Sequence, residues 1–254
     1  MIPLVFALFG LVIGSFLTVV MYRLPRKESI VSPRSRCPSC GKTIPASQNI
    51  PVVSWLLLRG RCANCGERIS PKYPLIELAT AALFAGAALR FDYSIYVALV
   101  MALFLAVMLA VSIIDIDHGI IPNRIIYPAL PAFAVLEAIG WVMGDLDFVR
   151  SVIGFLAYGG FLLIVALIAP RAMGMGDVKL VALIGLVLGG LGLRFVWVAA
   201  AAGVFAGGIG GIGALLAGRG RKQTMPFGPY LAAGAAISAF AGAEISRAYL
   251  NLLT

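Results

Sequence analysis

A chain of 254 residues that is 61% hydrophobic and only 12% charged, with a mean hydropathy of +1.00, lies far outside the composition of a water-soluble domain. Its formal net charge of +9 accompanies no nucleic-acid-binding module, so the excess reads as a topology signal and an attraction to anionic membrane lipid. The composition therefore excludes a soluble enzyme and points to an all-α polytopic membrane protein, with room for about eight spans of roughly 20 residues each.

The first predicted span is Pro3 to Tyr22, which carries no charge and is followed at once by Arg23, Arg26 and Lys27. No basic residue precedes it and no small-x-small cleavage site ends it, so it is expected to be a retained anchor with the N-terminus outside. The next stretch, to about Pro74, is the only sizeable polar segment. Its ten Lys and Arg residues against Glu28 and Glu67 place it in the cytoplasm. The remaining spans are expected at Leu75 to Phe91, Tyr93 to Ile114, Ile125 to Met143, Phe148 to Ala169, Val178 to Leu193, Phe195 to Ala217 and Phe227 to Leu250. Alternating sides puts sixteen basic residues inside, among them Arg124, Arg171, Lys179, Arg219, Arg221 and Lys222, and only Arg90, Arg150, Arg194 and Arg247 outside. That bias supports eight spans. Three segments result: a first helix at 1–22, a loop domain at 23–74 and a seven-helix membrane domain at 75–254.

The loop domain contains all four cysteines, as Cys37-Pro-Ser-Cys40 and Cys62-Ala-Asn-Cys65, each pair followed by a glycine, Gly41 or Gly66. Two such pairs can supply four thiolates in a tetrahedron, the ligand set of a structural zinc site with no open position for chemistry. Local disulfides or a redox pair are the competing reading, but a cytoplasmic loop keeps its thiols reduced. A loop of this size builds too small a core to fold unaided, and a metal staple remedies that.

The third span ends in Ile113-Ile-Asp-Ile-Asp-His-Gly-Ile-Ile-Pro-Asn123. Carboxylates at the end of a membrane helix are costly unless they serve a site, and Pro122 breaks the chain between this helix and the next. A second break, at Met173-Gly-Met-Gly-Asp177, carries the only acid between Arg150 and Glu244. Taken singly, Asp177 could cap the helix that follows and Asp115 could sit at the headgroup boundary. Together, one acid at each of two breaks suggests a single site built from Asp115 and Asp177, with Gly174 and Gly176 permitting close backbone approach. Two carboxyl groups held close cannot both ionise cheaply, so one keeps a proton while the other activates water. Asp117 should turn about 200° away from Asp115 on a continuing helix, which leaves it as a local electrostatic modulator or a solvated turn residue, beside a solvated His118.

The motif Gly174-Met-Gly-Asp177 resembles the GxGD motif of membrane aspartyl proteases, and Asp115 with Ile121-Pro-Asn123 resembles the first catalytic motif of the prepilin peptidases, also called type IV leader peptidases. Residues 14–25, the two cysteine pairs, and residues 48–62 and 69–77 are similar to that family in the same order. The resemblance implies catalytic aspartates at Asp115 and Asp177 and an inner-membrane enzyme of two activities. It would cut the basic leader from type IV prepilins or type II secretion pseudopilins on the cytoplasmic side, then methylate the new N-terminal residue from S-adenosylmethionine. It also places methylation with the cytoplasmic loop, where Glu77, Gly60 and Asn49 are the candidates for that second site.

Other features read more plainly. The one G-x-G-x-x-G match, Gly208 to Gly213, lies inside an apolar span and follows no strand, so it is a packing feature. Gly185 with Gly189, and Gly203 with Gly207, have the spacing of close helix contacts. Glu137 and Glu244 are expected to snorkel or to pair with exterior groups such as Arg247. Residues 225–229, Met-Pro-Phe-Gly-Pro, resemble the PFGP turn of the same family, and a helix-start proline turn explains them equally well. A proton-coupled transporter using paired aspartates, a membrane scaffold, or a peptidase without methyl transfer are the alternatives. The chain lacks the matched halves expected of the transporter.

Overall fold

A computed structural model describes residues 1–170, 173–216 and 226–252, with the backbone alone at 214 and 215. Arg171, Arg219, Arg221, Lys222 and Met225, used above for topology and for the turn, lie outside the described residues. The fold is all-helical, and among the described residues the only extended pairings are two isolated bridges in the polar loop. The chain forms two compact units, Met1–Arg90 and Phe91–Thr254.

In the first unit, α1 (Ile2–Arg23) packs along α3 (Lys72–Arg90). Gly10 and Gly14 of α1 face α3 so closely that a Cβ on either would lie 2.7 Å from the Cα of Ala81 or Glu77. Small residues allow this backbone approach, which supplies the dispersion contact that drives helix pairing in lipid. The short helix α2 (Val53–Leu57) lies in the polar loop between them. Arg23, nearly buried at the end of α1, ties that loop down by donating to the carbonyls of Ser29 at 2.9 Å and Pro33 at 2.8 Å.

The second unit comprises α4 (Ile95–His118), α5 (Asn123–Met143), α6 (Phe148–Gly154), a π-helical turn at Phe155–Gly159, α7 (Gly160–Ile168), α8 (Met175–Leu191), α9 (Leu193–Leu216) and α10 (Gly228–Asn251). α6, the π turn and α7 form one continuous span. α4 and α8 are apolar over most of their length, so they are the helices that become buried; Leu180 to Gly190 is buried without interruption. α8 is surrounded by α5, α6, α7, α9 and α10, while α4 lies against α5 and α10. Large apolar side chains on the outer helices, such as Trp197 and Phe205 at 72% exposure each, remain on the surface, as suits a protein whose solvent is lipid.

Among the described residues eight long helices occupy the expected places, and six of them are long and apolar enough to span by themselves: Ile2–Arg23, Lys72–Arg90, Ile95–His118, Asn123–Met143, Phe148–Ile168 and Leu193–Gly213. α8 has only 17 residues because the chain turns at Gly192. α10 is rich in Ala and Gly and carries Glu244 and Arg247, which reduces its apolarity. Gly185 fits its expected packing role, since a Cβ there would run into the Gly154 carbonyl on α6. Glu137 departs from expectation. It is fully buried, with Oε2 accepting from the Ser151 hydroxyl at 2.9 Å and Oε1 unpartnered, because the face of α5 that carries it points into the unit rather than outward. Glu244 is exposed and pairs with Arg247 at 3.6 Å.

Candidate functional site

Ser94 starts α4, its side chain accepting from the Val97 amide at 3.3 Å, and the helix runs without a break past Asp115 to His118. It stops at Gly119, whose left-handed backbone (φ 65°) lets its amide return to the Asp115 carbonyl at 2.8 Å; such a C-cap favours glycine. Because the helix continues, Asp115 faces inward and is 5% exposed, whereas Asp117 and His118 are exposed. Pro122 then caps α5 in an extended conformation.

The second break is built to meet the first. Gly174 caps α8 in extended backbone and Asp177 occupies its first turn. A Cβ at Gly176 would lie 2.9 Å from the Cβ of Ile121, so the absence of a side chain lets α8 begin directly against the α4–α5 connection. Lys179 continues the contact. Its ammonium donates to Asn123 Oδ1 at 3.1 Å and stands 4.7 Å from the centre of the Tyr127 ring. The helix start that carries Asp177 is thereby seated against the connection that follows Asp115. Two carboxyl groups held close can share a proton, the requirement for acid–base activation of water. A third element also enters: the Gly228 amide, at the start of α10, donates to Asp115 Oδ2 at 2.9 Å. The segment containing Gly228 was legible as a turn, but nothing in the sequence paired it with Asp115.

In the first unit the cysteines form one cluster. Their four sulfurs lie within 4.8 Å of one another, and those of Cys37 and Cys65 are 3.8 Å apart. A tetrahedron with metal–sulfur bonds of about 2.3 Å has edges of about 3.8 Å, so the cluster fits a zinc-sized ion. Each pair sits on the same tight turn. The Cys37 amide donates to the Lys42 carbonyl and the Gly41 amide to the Cys37 carbonyl; Cys62, Glu67 and Gly66 repeat this 25 positions later. Gly41 and Gly66 have φ of 71° and 73°, the conformation glycine adopts without strain. The amides of Cys65 and Asn64 pull the Cys62 thiol down to about 6. The Glu67 amide acts in the same sense on Cys65, but burial and the neighbouring sulfurs push that thiol up to about 12. A cation is what would allow all four to ionise together.

Beside this cluster the same unit holds a cleft of about 640 Å³, lined among others by Tyr22, Asn49, Val52, Trp55, Tyr73 and Glu77. Its volume is that of a small-molecule site. Glu77 is 7% exposed, and its Oε2 accepts from the Val52 amide at 2.7 Å. Val52 is held at φ 61°, ψ −49°, a region that is strained for a β-branched residue and is found where surrounding structure enforces it. Asn49 lies on the lining. Gly60 does not; with φ 65° it turns the chain behind Trp55, and a Cβ there would lie 2.9 Å from the indole ring. Its link to the cleft therefore runs through Trp55, whose indole N–H donates to the Ile69 carbonyl at 3.1 Å. Val52 and Trp55 carry no sequence signal of their own, and only the fold brings them beside Glu77.

Comparison with known proteins places the chain. Residues 8–91 match the Bacterial Peptidase A24 N-terminal domain, and residues 102–215 match the Type IV leader peptidase family. A protein of Bacillus subtilis named Prepilin leader peptidase/N-methyltransferase is 37% identical over 96% of both chains. Proteins of the same name from Dichelobacter nodosus (35% identity, 95% of this chain and 92% of its own) and Burkholderia pseudomallei (37%, 92% and 83%) are also similar. No solved structure matches at a significant level. The two matched regions lie on either side of the division between the compact units, and on sequence identity over nearly its whole length the chain belongs to the type IV leader peptidase family.

Proposed function

We propose that this protein is a bifunctional prepilin leader peptidase and N-methyltransferase of the bacterial inner membrane, with Asp115 and Asp177 as the catalytic pair. The observation that carries the reading is the meeting of two helix breaks, the one that follows the buried Asp115 and the one that carries Asp177, through the Gly176–Ile121 and Lys179–Asn123 contacts. In this mechanism one carboxylate takes a proton from water as the water attacks the scissile carbonyl, and the other, protonated, polarises the carbonyl oxygen. The amine then leaves with a proton from the pair. No covalent enzyme intermediate is required. The basic leader stays on the cytoplasmic side while the apolar helix of a type IV prepilin or type II secretion pseudopilin lies in the lipid, with its cleavage site at the level of the aspartates.

The loop domain at 23–74 and its membrane edge would carry the second activity. Zinc held by Cys37, Cys40, Cys62 and Cys65 would fasten the loop. S-adenosylmethionine, which supplies an electrophilic methyl group, would occupy the neighbouring cleft. The buried carboxylate of Glu77 suits the cofactor's cationic groups or the acceptor amine, Asn49 offers a polar contact, and Gly60 acts by seating Trp55. The first helix, 1–22, with its N-terminus outside, and the remaining helices from 75 onward complete the arrangement, and the charge bias places both sites on the cytoplasmic side.

The test is to incubate purified protein in liposomes with a prepilin, with and without S-adenosylmethionine, and to weigh the product. Wild type removes the leader mass and adds one methyl. Asp115→Asn and Asp177→Asn each leave the leader in place while methylating a precut pilin. A folded, metal-loaded wild type that cuts neither pilus nor secretion substrates refutes the reading.

A further inference from the structure

We infer that Gly228 is a positioning residue of the aspartate pair, its backbone N–H fixing the carboxyl group of Asp115. The inference rests on Asp115 and Asp177 being the peptidase centre. The Gly228 amide donates to Asp115 Oδ2 at 2.9 Å across 113 positions of sequence, in a buried setting. The first amides of a helix have no partner within it. The next residue, Pro229, has none to offer, and the Tyr230 amide already donates to the Phe227 carbonyl at 3.1 Å. The Gly228 amide is therefore the first-turn donor of α10 that is directed at Asp115.

A donor of this kind differs from a side chain in being unable to rotate away. Its position is set by α10, which packs against both α4 and α8, the two helices that carry the aspartates. The bond thus refers the Asp115 carboxyl to the same frame that holds Asp177. The contact also explains why the position has no side chain. A Cβ at Gly228 would lie 2.7 Å from Asp115 Oδ2 and 3.3 Å from its Cγ, so any larger residue displaces the carboxyl group or the helix start. Misplacement of a catalytic group by about 1 Å costs roughly 100-fold in rate.

The experiment compares wild type with Gly228→Ala and with Gly160→Ala, a control at a helical glycine whose added Cβ meets nothing within 4 Å. Leader cleavage by Gly228→Ala is expected to fall about 100-fold in kcat with KM for the prepilin unchanged, while Gly160→Ala cleaves as wild type. A second measurement does not depend on activity. Gly228→Ala lowers the melting midpoint in the wild-type background, and this loss is relieved when Asp115→Ala removes the carboxyl group it meets. If wild type cleaves the prepilin and Gly228→Ala does so at the same kcat, the inference fails while the peptidase reading stands. It fails equally if the melting loss is the same with and without the Asp115 carboxyl. If wild type cuts no prepilin, the peptidase reading itself is what has failed.

Discussion

Replacing Glu77 separates its charge from its hold on the backbone. The Val52 amide donates to Glu77 Oε2 at 2.7 Å, and a hydrogen bond to a charged acceptor contributes about 1.5–3 kcal/mol net. It acts against the cost of keeping Val52 at φ 61°, which is of the order of 1–3 kcal/mol. The two are comparable, so the turn that starts α2 and presents Trp55 to the cleft depends on this acceptor. Glu77→Ala removes both roles, whereas Glu77→Gln keeps an acceptor oxygen and loses only the charge. Hydrogen exchange at Val52 should therefore accelerate roughly 10- to 100-fold in Glu77→Ala, the equivalent of the lost bond, and little in Glu77→Gln. Methyl transfer to a precut pilin, followed by mass spectrometry, should fall in both, and leader cleavage in neither. Unchanged methylation by Glu77→Gln would refute the assignment of a charge role to Glu77. Unchanged exchange in Glu77→Ala would refute the argument that the carboxylate holds the turn.

Metal retention should depend on pH with a definite sign. The Cys62 thiol is held down to about 6, below its ordinary range, so its contribution is present at neutral pH and is lost as the pH falls through about 6. Acidification should therefore release bound metal to a chromogenic chelator as protons compete for the thiolates, with parallel loss of methyl transfer, and Cys62→Ser should release it at neutral pH. Gly176→Ala places a Cβ 2.9 Å from that of Ile121 and should push the start of α8 away from the α4–α5 connection. Prepilin cleavage should then slow by about 100-fold with methylation of precut pilin intact, as measured on the same preparation.

Much of this protein was legible before any fold was known, because the relevant physics is local in sequence. Lipid as solvent demands apolar runs of a given length, so all eight helices could be located from composition. A proline and a pair of glycines mark breaks in such runs wherever they occur, which is why Asp115 and Asp177 stood out. The spacing of Cys37, Cys40, Cys62 and Cys65 is likewise a local statement about two tight turns. Periodicity alone separated Asp115 from Asp117, since a continuing α4 must turn them to different sides. What the tertiary structure decided depends on contacts between distant segments. Glu137 became a buried partner of Ser151 rather than a surface group, because helix rotation follows from packing and not from position along the span. Glu77 acquired the Val52 amide, Gly60 acquired Trp55, and Asp115 acquired Gly228 across 113 residues. A backbone amide has no side chain by which a sequence could announce it; only the packing of α10 against α4 and α8 brings that donor to the carboxyl group it serves.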